Sequence, residues 1–467
     1  MRTRVEVRRG EYHDSVTLMS ASLALAELSS VAEAQVAMGT ELNLELLADR
    51  GFDVPAGTAA GDLVVAVRFD DDADPDAAMS TAVERLAELL TARVPATGSG
   101  VAVVPHTTAG AVARTGAELA VVSVPGEYAY GEAVDALRAG SNVMVFSDNV
   151  PLEQEIALKR EAAERGLLVM GPDCGTAVID AVGFGFANVV EPGPVSLVAA
   201  SGTGAQQLTC LLAEAGCGVR HVLGVGGRDL SAEVGGLATR QALDALLADN
   251  LTELTVVVTK PPDGTVLGQL TELTQAREQA VLWAPVGQAH DDLTAVAERV
   301  LRSLGRPVPQ WPQWRPVNEL TARPGSALRG LFCGGTLCGE AATVAAASLP
   351  ADRFAMTDFG ADEYTRGRAH PMIDPTLRTE EFVRAAGDPS VGAVLADVVL
   401  GYGSHPDPAG ELAPAVAEAA ANVVISLTGS RGDEQNLDRQ ARTLADAGAH
   451  VHLSNAAAAR HAVTLVS

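Results

Sequence analysis

Short apolar runs rich in valine and leucine alternate with helical patterns in two successive series along this chain. The first series holds "PVSLVAA", "VRHVLGVG", "LTVVVT" and "AVLWAPV"; the second holds "LRGLFCG", "RFAMTDF", "VGAVLADVVL", "NVVISLTG" and "HVHLS". A buried-type strand followed each time by a helix predicts a parallel sheet covered on both faces. The chain therefore reads as α/β, with two doubly wound domains at 191–305 and 328–467. The two series also match loop by loop. "AASGTGAQQL" corresponds to "FCGGTLCGEA", "GVGGRDL" to "DFGADEY", "TKPPDG" to "GYGSHPDP" and "PVGQAHDD" to "LTGSRGDE". Each pair falls at the carboxyl end of a strand, the ligand edge of an open α/β sheet.

Upstream, "LAVVSVP", "NVMVFS" and "LLVMGP", with helices between them, predict a further parallel unit over 117–190. Residues 1–95 read as a small α+β domain of three strands and three helices, an assembly module without a chemical motif. A Gly/Pro/Ser/Thr-rich stretch, "VPATGSGVAVVPHTTAG", reads as a linker after it. A second linker, 306–327, carries five prolines and packs through Trp311 and Trp314. With 467 residues and a net charge of −26, the chain is large enough for several cores and too acidic for a nucleic-acid surface. The N-terminus lacks the apolar core of a signal peptide and no apolar stretch reaches about 18 residues. These features predict a cytoplasmic protein that contacts neither membrane nor nucleic acid. The cysteines, Cys174, Cys210, Cys217, Cys333 and Cys338, are odd in number and sit inside strand and helix patterns. They read as reduced thiols. Cys333 and Cys338 lack a second His or Cys pair to complete a metal site, so no metal is expected.

The chemistry lies in the strand-end turns. A helix N-terminus presents amides without intrahelical partners and a partial positive charge, so it attracts anions. Glycine lets the backbone approach a ligand, and a Ser or Thr hydroxyl adds a donor. Ser201, Gly202, Thr203 and Gly204 supply this once; Gly334, Gly335 and Thr336 supply it again. Either turn alone is equally explained as a tight strand-to-helix connection with a Thr cap. Two at equivalent positions of a repeat point to one shared anion site. Lysine occurs only at Lys159 and Lys260. Lys159 reads as part of a solvated helix face, whereas Lys260 ends an apolar strand and joins Arg228 and Arg378 as candidate cations around the anion. Gly226 and Gly227 precede Arg228, and Asp229 reads as orienting it. Asp173 and Cys174 follow a strand end and read either as cleft lining or as a turn with a buried filler. His370, in "RGRAHPMIDPTLR", reads either as a general acid or base or as a solvent-facing loop residue.

"NVMVFSDNVPLEQEIALKREAAERGLLVMGPDCGTAVI", "VSLVAASGTGAQQLT", "GVGGRDLSAEVGG" and "AHPMIDPTLR" resemble the FdrA family and, more distantly, the succinyl-CoA synthetase superfamily. The resemblance implies a Rossmann-like CoA-binding-type domain at 117–190 followed by two flavodoxin-like domains. It also implies that the two glycine-threonine turns are the paired helices which, in the ligases, point at a phosphohistidine from opposite sides. The ligases carry that histidine in a Gly-His-Ala-Gly-Ala loop. This sequence has only "AHDD" there, with His290 on a loop too short to swing, and no ATP-grasp domain is recognised. The FdrA resemblance implies carbamoyl transfer through free carbamoyl phosphate, as in an oxamate carbamoyltransferase of allantoin (ureide) catabolism. It further implies additional protein subunits and a homo-oligomeric assembly. Two alternatives remain: an acyl-CoA synthetase subunit using CoA and an ATP-grasp partner, and a non-catalytic scaffold.

Overall fold

The computed structural model describes residues 2–467 except 14, 27, 71–73, 92–104, 260–261, 276–279, 286–291 and 366–367. The chain divides into two compact units, residues 1–104 with 365–369, and residues 105–364 with 370–467. In the first unit, the strands Arg2–Arg8, Val31–Met38 and Leu63–Phe69 form an antiparallel sheet with Leu63–Phe69 at its centre. The central strand, "LVVAVRF", is buried on both faces, one beneath the helices Ser15–Ala26 and Pro75–Thr91 and the other around Leu47 and Phe52.

Among the described residues, the second unit holds three sheets. The strands Leu119–Val122, Asn142–Val145 and Val169–Met170 pair in parallel and carry the helices Thr108–Thr115, Gly126–Arg138 and Leu152–Arg165. The first of these helices begins inside the stretch read as a linker. The next sheet orders its four parallel strands as Ala280–Pro285, Leu254–Thr259, Val195–Ala199 and Val219–Gly224. By sequence that is fourth, third, first, second. The third sheet runs His450–His452, Asn422–Thr428, Val391–Val399, Ala327–Phe332 and Phe354–Asp358, or fifth, fourth, third, first, second. The shared order is the doubly wound one, and in each lobe the first strand lies at the switch point where ligands bind.

Two edges differ from the sequence reading. The hairpin of Thr176–Ile179 and Val182–Gly185 adds antiparallel to Val219–Gly224, so the first lobe's sheet takes in chain before residue 191. Gln313–Trp314, inside the proline-rich linker, pairs antiparallel with His450–His452, and Trp311 and Trp314 pack on the core. Proline-rich chain is confined to sheet edges because it cannot donate to an interior ladder.

The two lobes share one apolar core. Val195, Leu197 and Ala199 face it, while Val198 and Ala200 face a separate cluster beneath the three-stranded layer, the period-two alternation of a sheet covered on both sides. The helix Gly202–Glu214 is buried along nearly its whole length between the lobes. Its polar residues are satisfied across the junction: Gln207 Nε2 donates to the Leu453 carbonyl (2.9 Å), and Thr428 Oγ1 donates to Gln207 Oε1 (2.8 Å). Asn188 Nδ2 donates to Asp433 (2.7 Å) and to the Leu400 carbonyl (3.0 Å). No helix among the described residues is long and apolar enough to cross a membrane.

Glu340 belongs to the same junction. It is buried, accepts hydrogen bonds from the Leu293 amide (2.6 Å) and Asn455 Nδ2 (2.7 Å), and burial pushes its carboxyl up to about 7. A folded-state value above the unfolded one means that, between about pH 4.5 and 7, the folded chain keeps a proton the unfolded chain has released. The stabilisation is complete below that window and is lost as pH rises through it. Stability is therefore expected to fall across this interval by an amount on the order of 3 kcal/mol. Glu340→Gln is expected to flatten that slope, measured as denaturation midpoints at a series of pH values.

Candidate functional site

The two glycine-threonine turns meet. Ser201 Oγ hydrogen-bonds Thr336 Oγ1 across the lobes. A Cβ placed at Gly334 would lie 2.9 Å from the side chain of Thr203, and one at Gly204 would lie 3.0 Å from Thr336 Cγ2. Only glycine permits this approach, since real Cβ atoms do not come so close. Neither threonine is a cap. Ser201 caps the helix Gly202–Glu214 by accepting from the Gly204 amide (3.0 Å), and Gly334 begins the helix Gly335–Ala346 without a side-chain cap.

The second mouth is held from beneath by Asp397, the one charged residue of the buried strand Val391–Val399. Its carboxylate accepts from the Cys333 amide (2.8 Å) and the Gly334 amide (3.0 Å), and it pairs with Arg378 Nη1 at 2.8 Å. Burial pushes the Asp397 acid up, and Arg378 and the two amides pull against it. Arg378 is itself buried and thus fixes the turn through Asp397 rather than standing free beside an anion. Asp358, at the end of the second strand, reaches the same mouth: its Oδ2 would lie 2.6 Å from a Cβ at Gly335, and its Oδ1 accepts from the Gly360 amide (2.9 Å). His370 Nε2 would lie 2.8 Å from a Cβ at Gly360, and its ring packs on Phe186 with centroids 5.6 Å apart. Burial pushes its imidazole down to about 4, so it is neutral at pH 7. Its Nδ1 accepts from the Met372 amide (3.2 Å), which assigns the proton to Nε2. The Nε2 edge of the ring lies against Gly360, beside the second mouth. The reading of His370 as a solvent-facing loop residue gives way to a half-buried ring packed on Phe186.

The remaining candidates lie elsewhere. Arg228 pairs with Glu155 Oε2 (2.8 Å) and donates to the Val150 carbonyl (2.8 Å), so it ties its loop to the helix Leu152–Arg165. Asp229 does not orient it. Asp229 caps the helix Leu237–Leu246 through Ala238 and Thr239, and binds Lys159 at 2.8 Å. Lys159 is 0 % exposed rather than solvated; it also bonds Glu155 (2.7 Å) and the Val225 carbonyl (2.9 Å). Helical periodicity misplaced it because the Glu155–Lys159 spacing is the same on a solvated face and on one that a second layer covers.

Gly226, at φ +84°, lets its turn lie on Pro172, where a Cβ would meet the carbonyl at 2.5 Å; Gly227 follows, half-buried. Cys174 is buried with its sulfur against Gly224, and burial pushes its thiol up to about 12, so it fills space and is no nucleophile. Asp173 is exposed, its amide donating to the Ser147 carbonyl (2.9 Å). All five cysteines are free and buried. Lys260, and His290 in the short loop, lie outside the described residues. Asp358 and Asp397 were missed by the sequence reading; the available signal was a carboxylate at or inside an otherwise apolar strand.

Over 498 aligned residues the chain is 36% identical to YahF of Escherichia coli (strain K12), covering 96% of this chain and 95% of that protein. The chain belongs to the YahF family. Within this YahF-family chain, residues 331–465 match the CoA-ligase family model and residues 1–102 match that of the AllF heavy metal-associated domain. The latter segment contains no cysteine. A shorter match joins the chain to the succinate–CoA ligase [ADP-forming] subunit alpha 2 of Archaeoglobus fulgidus, at 29% identity over 121 residues, 25% of this chain and 42% of that subunit. Among solved structures, the dinucleotide-forming acetyl-coenzyme A synthetase 1 of Ca. Korarchaeum cryptofilum aligns at 16% identity and a TM-score of 0.30, over 74% of this chain and 82% of that one. The second mouth, Gly334–Thr336, thus lies within the segment shared with the CoA ligases. Residues 331–465 carry the fold segment of the CoA-ligase family, and the described residues of 1–102 form a small α+β domain of their own.

Proposed function

We propose that this chain is the acyl-group-handling subunit of an acyl-CoA synthetase-type enzyme, holding a phosphate or acyl phosphate at the paired helix mouths. The observation that carries the reading is the contact of Ser201–Gly204 with Gly334–Thr336, two helix N-termini at the switch points of two repeated sheets. The match of 331–465 to the CoA ligases supports it. Amides and hydroxyls fixed in advance stabilise charge as it gathers on a departing phosphate, and in a water-poor site they do so without reorganisation. The acyl acceptor is CoA, and the nucleotide comes from an ATP-grasp partner chain. With the cations Arg228 and Arg378 already paired, the local positive field comes from the two helix ends, with Lys260 the remaining candidate cation.

A second reading is carbamoyl transfer to phosphate, as the FdrA resemblance implies. The short chain between Pro285 and Leu293 favours it, because that length does not let a phosphohistidine swing between sites.

Ligand-dependent melting separates these. A ligand at a hundred times its dissociation constant stabilises by about 2.7 kcal/mol, so phosphate and acetyl phosphate at millimolar concentration are expected to raise Tm. Thr203→Val and Thr336→Val are each expected to remove most of that rise. CoA-dependent stabilisation and label passing from ATP to an acyl phosphate in the presence of the partner favour the synthetase reading. A shift with carbamoyl phosphate alone favours the second. No shift with any phosphorylated ligand removes both, and full activity of the assembled complex after both threonine changes leaves a scaffold.

A further inference from the structure

Away from the helix mouths, the last strand and last helix bring three histidines together. His450 and His452 occupy alternate positions of the strand His450–His452 and so leave it on one face; His461 comes from the helix Asn455–Val466. The rings of His450 and His452 stack with centroids 4.5 Å apart and 7° between planes. His461 stands edge-on to both, at 4.4 and 5.2 Å. One nitrogen from each ring lies within 4.8 Å of the other two. Among the described residues, the ring nitrogens make two hydrogen bonds: His452 Nε2 to His461 Nδ1 (3.0 Å) and His450 Nε2 to Gln313 Oε1 (3.0 Å). His452 is buried and the other two are half-buried. Three imidazoles gathered away from bulk water lose solvation that two hydrogen bonds do not replace.

We propose that His450, His452 and His461 form a binding site for a zinc-class divalent cation, which ties the last strand of the second lobe to the C-terminal helix. Three imidazoles with an open fourth position are an established zinc donor set, with Zn–N about 2.0–2.1 Å. Closing the present spread to that geometry takes rotation of the rings. Nitrogen donors select zinc, copper or nickel over magnesium and calcium. Gln313 Oε1 accepts from His450 and fixes its ring orientation, the part that outer partners play around metal-bound histidines. The positive charge of Arg315 acts on all three rings. Arg315 also opposes a cation and lowers the affinity below that of an uncharged surround.

The test uses the full chain, stripped of metal and titrated with Co²⁺ and then Zn²⁺. One equivalent of Co²⁺ is expected to give the ligand-field bands of a four-coordinate nitrogen site, with no thiolate charge-transfer band, and Zn²⁺ is expected to displace it. His452→Gln and His461→Gln are each expected to weaken zinc binding more than about tenfold, and Gln313→Ala by about tenfold. Thr336→Val leaves metal uptake unchanged. Absence of stoichiometric uptake by the unaltered chain overturns the proposal, whatever the variants do. So does uptake that survives replacement of all three histidines, or a thiolate band that assigns the metal to cysteine.

Discussion

Lys159→Ala is expected to destabilise the 105–467 unit by about 3–5 kcal/mol, the range for removing one partner from a buried ion pair. The lysine is fully buried between two carboxylates and a carbonyl: Glu155 on its own helix, and Asp229 and Val225 in the first lobe. Without it, the carboxyl groups of Glu155 and Asp229 lose their shared buried partner, and Asp229 is the side chain that caps the helix Leu237–Leu246. The loss should appear as a lower denaturant midpoint for the transition that involves the three-stranded layer. Arg160→Ala supplies the control, since its side chain is exposed on the same helix and its removal should cost less than about 0.5 kcal/mol. Equal midpoints for the two variants would mean that the buried network holds nothing together.

Asp397→Ala carries the second large effect, again about 3–5 kcal/mol, and it reaches the candidate site. The change strands the Arg378 guanidinium and the amides of Cys333 and Gly334, all buried. Those amides set the second helix mouth, so the phosphate-dependent rise in Tm should vanish together with the stability. Asp397→Ala with Arg378→Met removes the stranded charge and is expected to recover part of the stability, but not the ligand response, because the turn has still lost its acceptor. A ligand response preserved in either variant would separate the mouth from anion binding.

Much of the architecture was legible from pattern. Val195–Ala199 and Ala327–Phe332 read as buried strands from their mainly apolar runs, interrupted at Ser196 and Arg329, and the matched turns after them identified the repeat. The facing of the two mouths was implied by the family resemblance, and the contact of Ser201 with Thr336 brings them together. The misses have a common cause. Lys159, Asp229 and Arg378 read as surface or site charges because a charged residue in sequence carries no mark of what packs over it. The hairpin Thr176–Ile179 with Val182–Gly185 escaped because its pairing partner, Val219–Gly224, lies beyond the next strand and helix. His450 and His452 showed their alternate spacing, but His461 joins them only because its helix folds back over the last strand.

The sequence by itself determined the strand–helix alternation of the two lobes, their duplication and the small-residue turns at their strand ends, since periodicity and glycine placement act over a few neighbouring residues. Tertiary structure alone decided which charges are spent. Whether Lys159, Arg228 or Arg378 meets an anion or a carboxylate depends on the layer brought against it, because the cost of burying a charge is fixed by its partners in space and not by its neighbours in the chain.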